Sequence, residues 1–155
     1  MNEEYSINKI DLEDVEEALR LVWRVFLAYE APDYSEEGIQ EFQRFIDLNE
    51  IKQKLADNQL QMWHCKNNGQ TIGVLAARLP CHISLLFVDG EYHQKGIARS
   101  LFNTIIEYYK SYNCELITVN SSPYAKEIYH KLGFTDISAE QTINGIRFTP
   151  MEYSL

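Results

Sequence analysis

The sequence predicts an α/β or α+β domain, with strands and helices interleaved around one mixed sheet. Three observations carry that class. Short apolar or alternating runs recur, among them "LQMWHCK", "TIGVLAARL" and "HISLLFV". Segments with apolar residues at helical spacing lie between and around them. Asn68-Gly69 and Asn144-Gly145 each separate two such runs, as two-residue hairpin turns do. A chain of 155 residues suits one core of ordinary size, and neither a Pro/Gly/Ser-rich linker nor an internal repeat divides it. Residues 1–155 are therefore read as one domain.

The first element, "YSINKI", alternates like a short strand. A helix can start from Asp11, with Val15, Ala18, Leu19, Val22, Phe26 and Tyr29 on one face. "EAPDYSEEG" interrupts it, and a second helix follows Ser35 with Ile39, Phe42, Phe45 and Ile46 on its apolar side. "LQMWHCK", the turn "NNGQ" and "TIGVLAARL" make a hairpin. Pro80 breaks the pattern, and "HISLLFV" is a third strand, apolar enough to be buried on both faces. The clearest helix follows Gly96, with Ile97, Leu101, Ile105, Tyr108 and Tyr112 on one side and Arg99, Asn103, Glu107 and Lys110 on the other. "ELITV" is a strand. "SSPYAKEIYHKLGF" is a short helix that Ser122 can cap, Pro123 suits in the first turn and Gly133 stops. "QTINGIRFTPMEY" closes the chain as a hairpin, and its exposed edge is a candidate homodimer surface.

Fourteen basic against twenty-three acidic residues leave a net charge of −9, which repels a phosphate backbone and speaks against nucleic-acid binding. The excess acid keeps the chain in solution and also suits a cationic substrate. No apolar run is long enough to span a bilayer, and the acidic start, "MNEEYSINKIDLEDVEE", lacks the order of a signal peptide. Cys65, Cys81 and Cys114 are scattered and odd in number, so no disulfide framework is implied and a reducing cytoplasm is expected. His64-Cys65 and Cys81-His82 have ligand-type side chains, but adjacent strand residues point to opposite faces, so no metal site is predicted.

The stretch "FVDGEYHQKGIARSLF" joins an apolar strand to an amphipathic helix through a basic, glycine-containing turn. A helix N-terminus presents unpaired N–H groups and the positive end of the dipole, which together bind phosphate. Gly96 keeps side-chain bulk away from that approach, Ala98 keeps the next one small, and Lys95 and Arg99 add charge. Neither the dinucleotide-binding spacing nor the Walker spacing is present.

Together, "LLFVDGEYHQKGIARSLF" and "NSSPYAKEIYHKLGF" resemble the Gcn5-related N-acetyltransferase (GNAT) superfamily. The resemblance implies a mixed, mostly antiparallel central sheet flanked by helices, with acetyl-CoA as cosubstrate and an amine, small molecule or peptide, as acceptor. It implies cofactor contacts from Leu86, Phe87 and Val88 at the strand end. The loop contacts would come from His93, Gln94, Lys95, Gly96, Ile97, Ala98 and Arg99, where His93 replaces the usual Gln or Arg. Asn120 matches a residue that meets the pantetheine arm, Ser122 stands beside it, and Tyr129 matches the tyrosine near the thioester sulfur.

An alkyl ammonium with a pKa of about 10.4 must lose a proton before it can attack. The resemblance implies an oxyanion met by backbone N–H groups near Leu86 to Val88, on a splayed strand. A thiol near 8.5 and a phenol near 10 cast Tyr129 as a hydrogen-bond donor to the leaving thiolate, because full transfer costs about 2 kcal/mol in water. Read without the motif, Tyr129 is a core residue on the face of Ala125 and Leu132. Some relatives carry a catalytic glutamate six residues before the position of Val88, which here is His82, an imidazole suited to act as base. Tyr29, Glu30 and Asp33, in the break after the first helix, are candidates for gripping or deprotonating a cationic substrate. The aromatic-rich first helices sit where the family builds its acceptor pocket. A non-catalytic acyl-CoA sensor on the same fold is the alternative function.

Overall fold

The computed structural model, describing residues 5–155, folds both Asn-Gly pairs into tight turns with positive φ at Asn68, Gly69, Asn144 and Gly145, the geometry of a two-residue hairpin loop. The first turn joins β2 (Gln61–Asn67) to β3 (Gln70–Arg78), and the second joins β7 (Gln141–Ile143) to β8 (Ile146–Ser154). With β1 (Tyr5–Lys9), β4 (His82–Val88), β5 (Leu116–Ser121) and β6 (Thr135–Asp136), these strands form a sheet of order β1-β2-β3-β4-β5-β8-β6, while β7 pairs with β8 off that path. Every pairing is antiparallel except that of β4 with β5. The final strand is thus taken up inside the sheet, between β5 and the two-residue β6, and only short strands are left at that edge. Met1 to Glu4, the start of the acidic N-terminal stretch, lie outside the described residues.

Helices cover both faces. On one, α4 (Ile97–Lys110) and α5 (Lys126–Leu132) pack against Trp63, Leu75, Ala77 and Ile83. On the other, α1 (Val15–Val25) and α3 (Leu48–Ala56) pack against Met62, Val74, Ala76, Leu85 and Phe87. Ser35 caps α2 (Glu36–Phe45), its hydroxyl accepting the Gly38 N–H at 3.2 Å. The separate helix α3 is an element that the apolar spacing did not reveal. Asp47 starts it by accepting the Glu50 N–H at 3.2 Å, and Ile51 is its one fully buried side chain, too little to make a stripe. In α4 the buried stripe ends at Tyr109, while Tyr112 lies beyond the helix and is 46% exposed.

Two expectations are corrected. The strand β4 is not buried on both faces: Ile83, Leu85 and Phe87 are buried, whereas His82, Ser84, Leu86 and Val88 are half-buried. The cause is a bulge. Ala76 faces Leu85 and Ala77 faces Ile83, so Ser84 is an extra residue that turns the strand away from its neighbour. The cysteines also differ from expectation, because the sulfurs of Cys81 and Cys114 are bonded, with their Cα atoms 6.6 Å apart. Cys81 directly precedes β4 and Cys114 stands two residues before β5, and parallel neighbours start from the same end of a sheet. Among the described residues no helix is long and apolar enough to cross a membrane.

The N-terminus of α2 sits directly on the β7–β8 turn. A Cβ at Gly38 would fall on the Gly145 carbonyl. Gly38→Ala is expected to destabilise the fold by about 1–3 kcal/mol through overpacking, measured by urea denaturation.

Candidate active site

At its end β4 runs into Asp89, which accepts the Glu91 N–H at 3.0 Å and the Arg24 guanidinium at 2.6 Å. This holds the one-turn 3-10 segment Gly90–Tyr92 against α1. The chain then takes positive φ at Gln94 and Gly96 before entering α4. A Cβ at Gly96 would meet nothing within 4 Å. Glycine is needed there for its backbone angle, and the space beside it is open. Among the described residues the N–H groups of Gly96, Ile97, Ala98 and Arg99 meet no main-chain acceptor. Open space over unpaired amides at the positive end of a 14-residue helix fits a diphosphate.

His93 stands where the family pattern has Gln or Arg, and its ring turns inward. Its Nε2–H donates to the Val88 carbonyl at 2.7 Å, and the Tyr124 hydroxyl donates to Nδ1 at 3.4 Å. The Tyr29 ring lies 4.9 Å from the His93 ring and 5.1 Å from that of Tyr124, with its hydroxyl against Gly90. Those three rings buttress the loop from behind. Tyr29 therefore packs against the loop and is not among the residues lining either of the two cavities beside it.

Pairing between β4 and β5 is confined to His82 with Thr118 and Ile83 with Val119. Beyond the bulge the strands separate, and a cavity opens on each side of the gap. The first, of about 410 Å³, runs from Gly96, Ile97 and Ala98 past Val88 to Tyr129. The second, of about 250 Å³, lies toward α2 and includes Tyr34, Phe42, Phe45 and Ser122. Glu30, Leu86, Phe87, Ala125 and Tyr129 line both, so these residues form a shared throat.

Glu30 reaches the throat because α1 does not end as a regular helix. It opens into a π-turn at Phe26–Glu30 and then a 3-10 turn at Ala31–Asp33. Burial pushes the Glu30 carboxyl up to about 7, the charge of Asp33 adds to this, and a hydrogen bond to the Ser122 side chain opposes it. Ser122 is itself fixed, since its oxygen accepts the Ala125 N–H at 3.1 Å. Burial, then the charge of Glu30, raises the Tyr129 phenol far above its usual range. It therefore stays protonated and keeps its hydrogen available to donate.

The structure brings together Leu86, Phe87, Val88, His93, Gln94, Gly96, Ile97, Ala98, Arg99 and Tyr129 around the first cavity. Lys95 stands at its margin, its ammonium 5.3 Å from the Tyr92 ring centre, and Arg99 donates to the Lys131 carbonyl at 2.7 Å, tying α4 to α5. Asn120 and Ser122 line the second cavity instead. His82 lines neither: its Nδ1 is 2.8 Å from the Thr118 hydroxyl, and burial with Arg78 lowers its pKa to about 4. Asp33 also lies outside both cavities, facing Arg147. Sequence reasoning passed over Tyr124 and over the throat position of Glu30. The signal for Glu30 was present, because it continues the steps of four from Val22 to Phe26, a carboxylate on an apolar stripe.

Such a fold and cleft define a class: α/β domains divided between two parallel strands, with a loop-and-helix cradle at the mouth of the division. Residues 30–155 match the acetyltransferase (GNAT) domain, and the chain belongs to that family, whose cosubstrate is acetyl-CoA. Over 96 residues it is 31% identical to the uncharacterized N-acetyltransferase YafP of Escherichia coli (strain K12), a match covering 62% of this chain and 59% of that protein. The match thus spans less than two thirds of the relative's length. Two solved structures share the fold. A GCN5-related N-acetyltransferase from Rhodopseudomonas palustris has a TM-score of 0.85 at 21% identity, covering 100% of this chain and 99% of that one. The PaiA N-acetyltransferase from Thermoplasma acidophilum, in complex with coenzyme A, has a TM-score of 0.82 at 17% identity, covering 98% and 99%.

Replacing Gly96 with valine places a branched side chain at φ +80° and projects it into the open space. The expected result is a stability loss of about 1–2 kcal/mol, together with loss of the rise in melting temperature that coenzyme A gives the parent protein.

Proposed function

We propose that the protein transfers an acetyl group directly to a primary amine, with acetyl-CoA in the first cavity and the amine in the second. The observation that carries this reading is the shared throat, because two ligands entering from opposite sides would meet there. Acetyl-CoA supplies an acetyl group activated as a thioester. The remaining work falls to the chain. The amides at the start of α4 hold the diphosphate, and Leu86 and Phe87 bound the passage of the acyl end. On the side of β4 that has left β5, main-chain N–H groups near Leu86 to Val88 face the gap and can meet the carbonyl oxygen as it gains charge. The Tyr129 hydroxyl donates to the departing sulfur. Its raised pKa makes complete proton transfer to a thiolate unfavourable, so its role is to stabilise charge. The PaiA relative with bound coenzyme A supports placing the carrier in a GNAT cleft. This reading calls for a cytoplasmic setting with a pool of acetyl-CoA.

Tyr129→Phe is expected to lower kcat by about 10²-fold while leaving the melting-temperature rise with acetyl-CoA intact. Thiol release measured with both substrates varied gives intersecting double-reciprocal lines if both are bound together. Parallel lines, or a phenylalanine variant with full activity, would overturn the proposal.

A further inference from the structure

We infer that Glu30 is the base that takes the proton from the acceptor, and that the second cavity selects primary amines carried on an uncharged apolar body. The inference rests on the proposed transfer and adds to it the acceptor class and the proton's route. Among the described residues lining the second cavity, the only formal charges are Glu30 and Glu41. Glu41 is answered by Arg44, with which it forms an ion pair. No cationic side chain pairs with Glu30, and its charged neighbour, Asp33, is another carboxylate whose own cation is Arg147. An ionised carboxylate held in a closed site without a cation is costly. An incoming ammonium supplies that cation. Transfer of one proton then leaves a neutral amine and a neutral carboxylic acid, the pair of states that burial favours.

Geometry fixes the carboxylate for this task. The π-turn delivers it to the throat beside the Ser122 side chain, and Tyr129 lines the same space. Once one proton has gone to Glu30, the nitrogen lone pair is free to form the C–N bond. As that bond forms and the C–S bond breaks, the electron pair leaves on sulfur and a second nitrogen proton ends on the thiol. The sum is an amide, a thiol and one proton, which Glu30 returns to solvent. With its pKa near 7, Glu30 is matched to neutral pH.

The acceptor's body is read from the opposite wall. Phe42 is stacked on Phe26 at 4.0 Å and lies 5.8 Å from Phe87, so its ring is held in place as a flat apolar surface. Phe45, Tyr34 and Ile146 continue that surface. A carboxylate on the acceptor would meet Glu30 and Glu41, and no lysine or arginine stands among the described residues lining the cavity.

The test uses acetyl-CoA with three probe amines, 2-phenylethylamine, n-butylamine and phenylalanine, on the parent protein and Glu30→Gln. Phenylethylamine should exceed butylamine in kcat/KM by about tenfold and phenylalanine by more, since phenylalanine brings a buried like charge. Glu30→Gln should lower kcat by about 10²-fold or more and remove the limb of the pH profile near 7, with the melting-temperature rise from acetyl-CoA unchanged. Other titratable groups stand around this carboxyl: Asp33 and Tyr34 beyond the same turn, Tyr124 before α5 and Tyr129 within it, and Glu41 from α2 on the same cavity, while Arg147 from β8 reaches Asp33 and Tyr34. Loss of the limb in the variant assigns it to Glu30. A second readout needs no turnover. The folded chain holds the Glu30 proton more tightly than the unfolded chain, so stability falls as pH rises from 4.5 to about 7. Glu30→Gln should remove that fall. Parent-like rates with the pH limb retained, phenylalanine used as well as phenylethylamine, or no amine used while acetyl-CoA still binds would each overturn the inference. Absence of any melting-temperature change with acetyl-CoA would instead overturn the proposed function beneath it.

Discussion

Two residue pairs, His82 with Thr118 and Ile83 with Val119, are all the ladder that β4 and β5 share, and the rest of the molecule is organised around that short contact. A parallel pair that stopped so early would leave two rows of unpaired backbone groups. Each strand is instead secured from its other side. Here β3 pairs with β4 from Arg78 to Gly73, and β8 pairs with β5 along its whole length. The extra residue at Ser84 turns β4 outward at the point where pairing ends. Because the sheet is anchored on both flanks, the gap persists as a feature of the folded state. The α4 N-terminus faces one side of it and the aromatic residues of α2 face the other.

Electrostatics in the gap follow from the same geometry. The chain carries a net charge of −9, yet the carboxylate that matters is the half-buried one in the throat. Burial raises Glu30 and Tyr129 together, and the charge of Glu30 makes Tyr129 harder still to ionise. The throat therefore tolerates little negative charge at rest, a setting that favours donors to any charge developing there. Around it the loop is stiffened by contacts that carry no chemistry themselves: Asp89 to Arg24, His93 to the Val88 carbonyl, and Tyr29 against Gly90. His93, which departs from the family pattern, is part of that scaffold, as is Asp89.

Local signals were legible. The hairpin turns, the helix after Gly96, the Ser35 cap and the stop at Gly133 each depend on a few consecutive residues, and each appears where its residues stand. The loop and Tyr129 were legible for a related reason, since the family motifs are contiguous. What local signals did not show depended on contacts between distant segments. Counting six residues back from Val88 reached His82, but the bulge and the end of pairing leave that ring bonded to Thr118 at the closed base of the split. Tyr29 was placed with Glu30 because they are neighbours in sequence, whereas the turn sends one to the loop and the other to the throat.

By itself, then, the sequence determined the kinds of elements, their order, and a glycine-led helix start suited to phosphate, because propensity, capping and turn chemistry act over one or two turns of chain. Tertiary structure alone decided where β4 and β5 part and which carboxylate lies between the two cavities. It also decided which cysteines meet. Those outcomes depend on register and on packing across the sheet, and burial, not residue type, sets the proton affinity of Glu30.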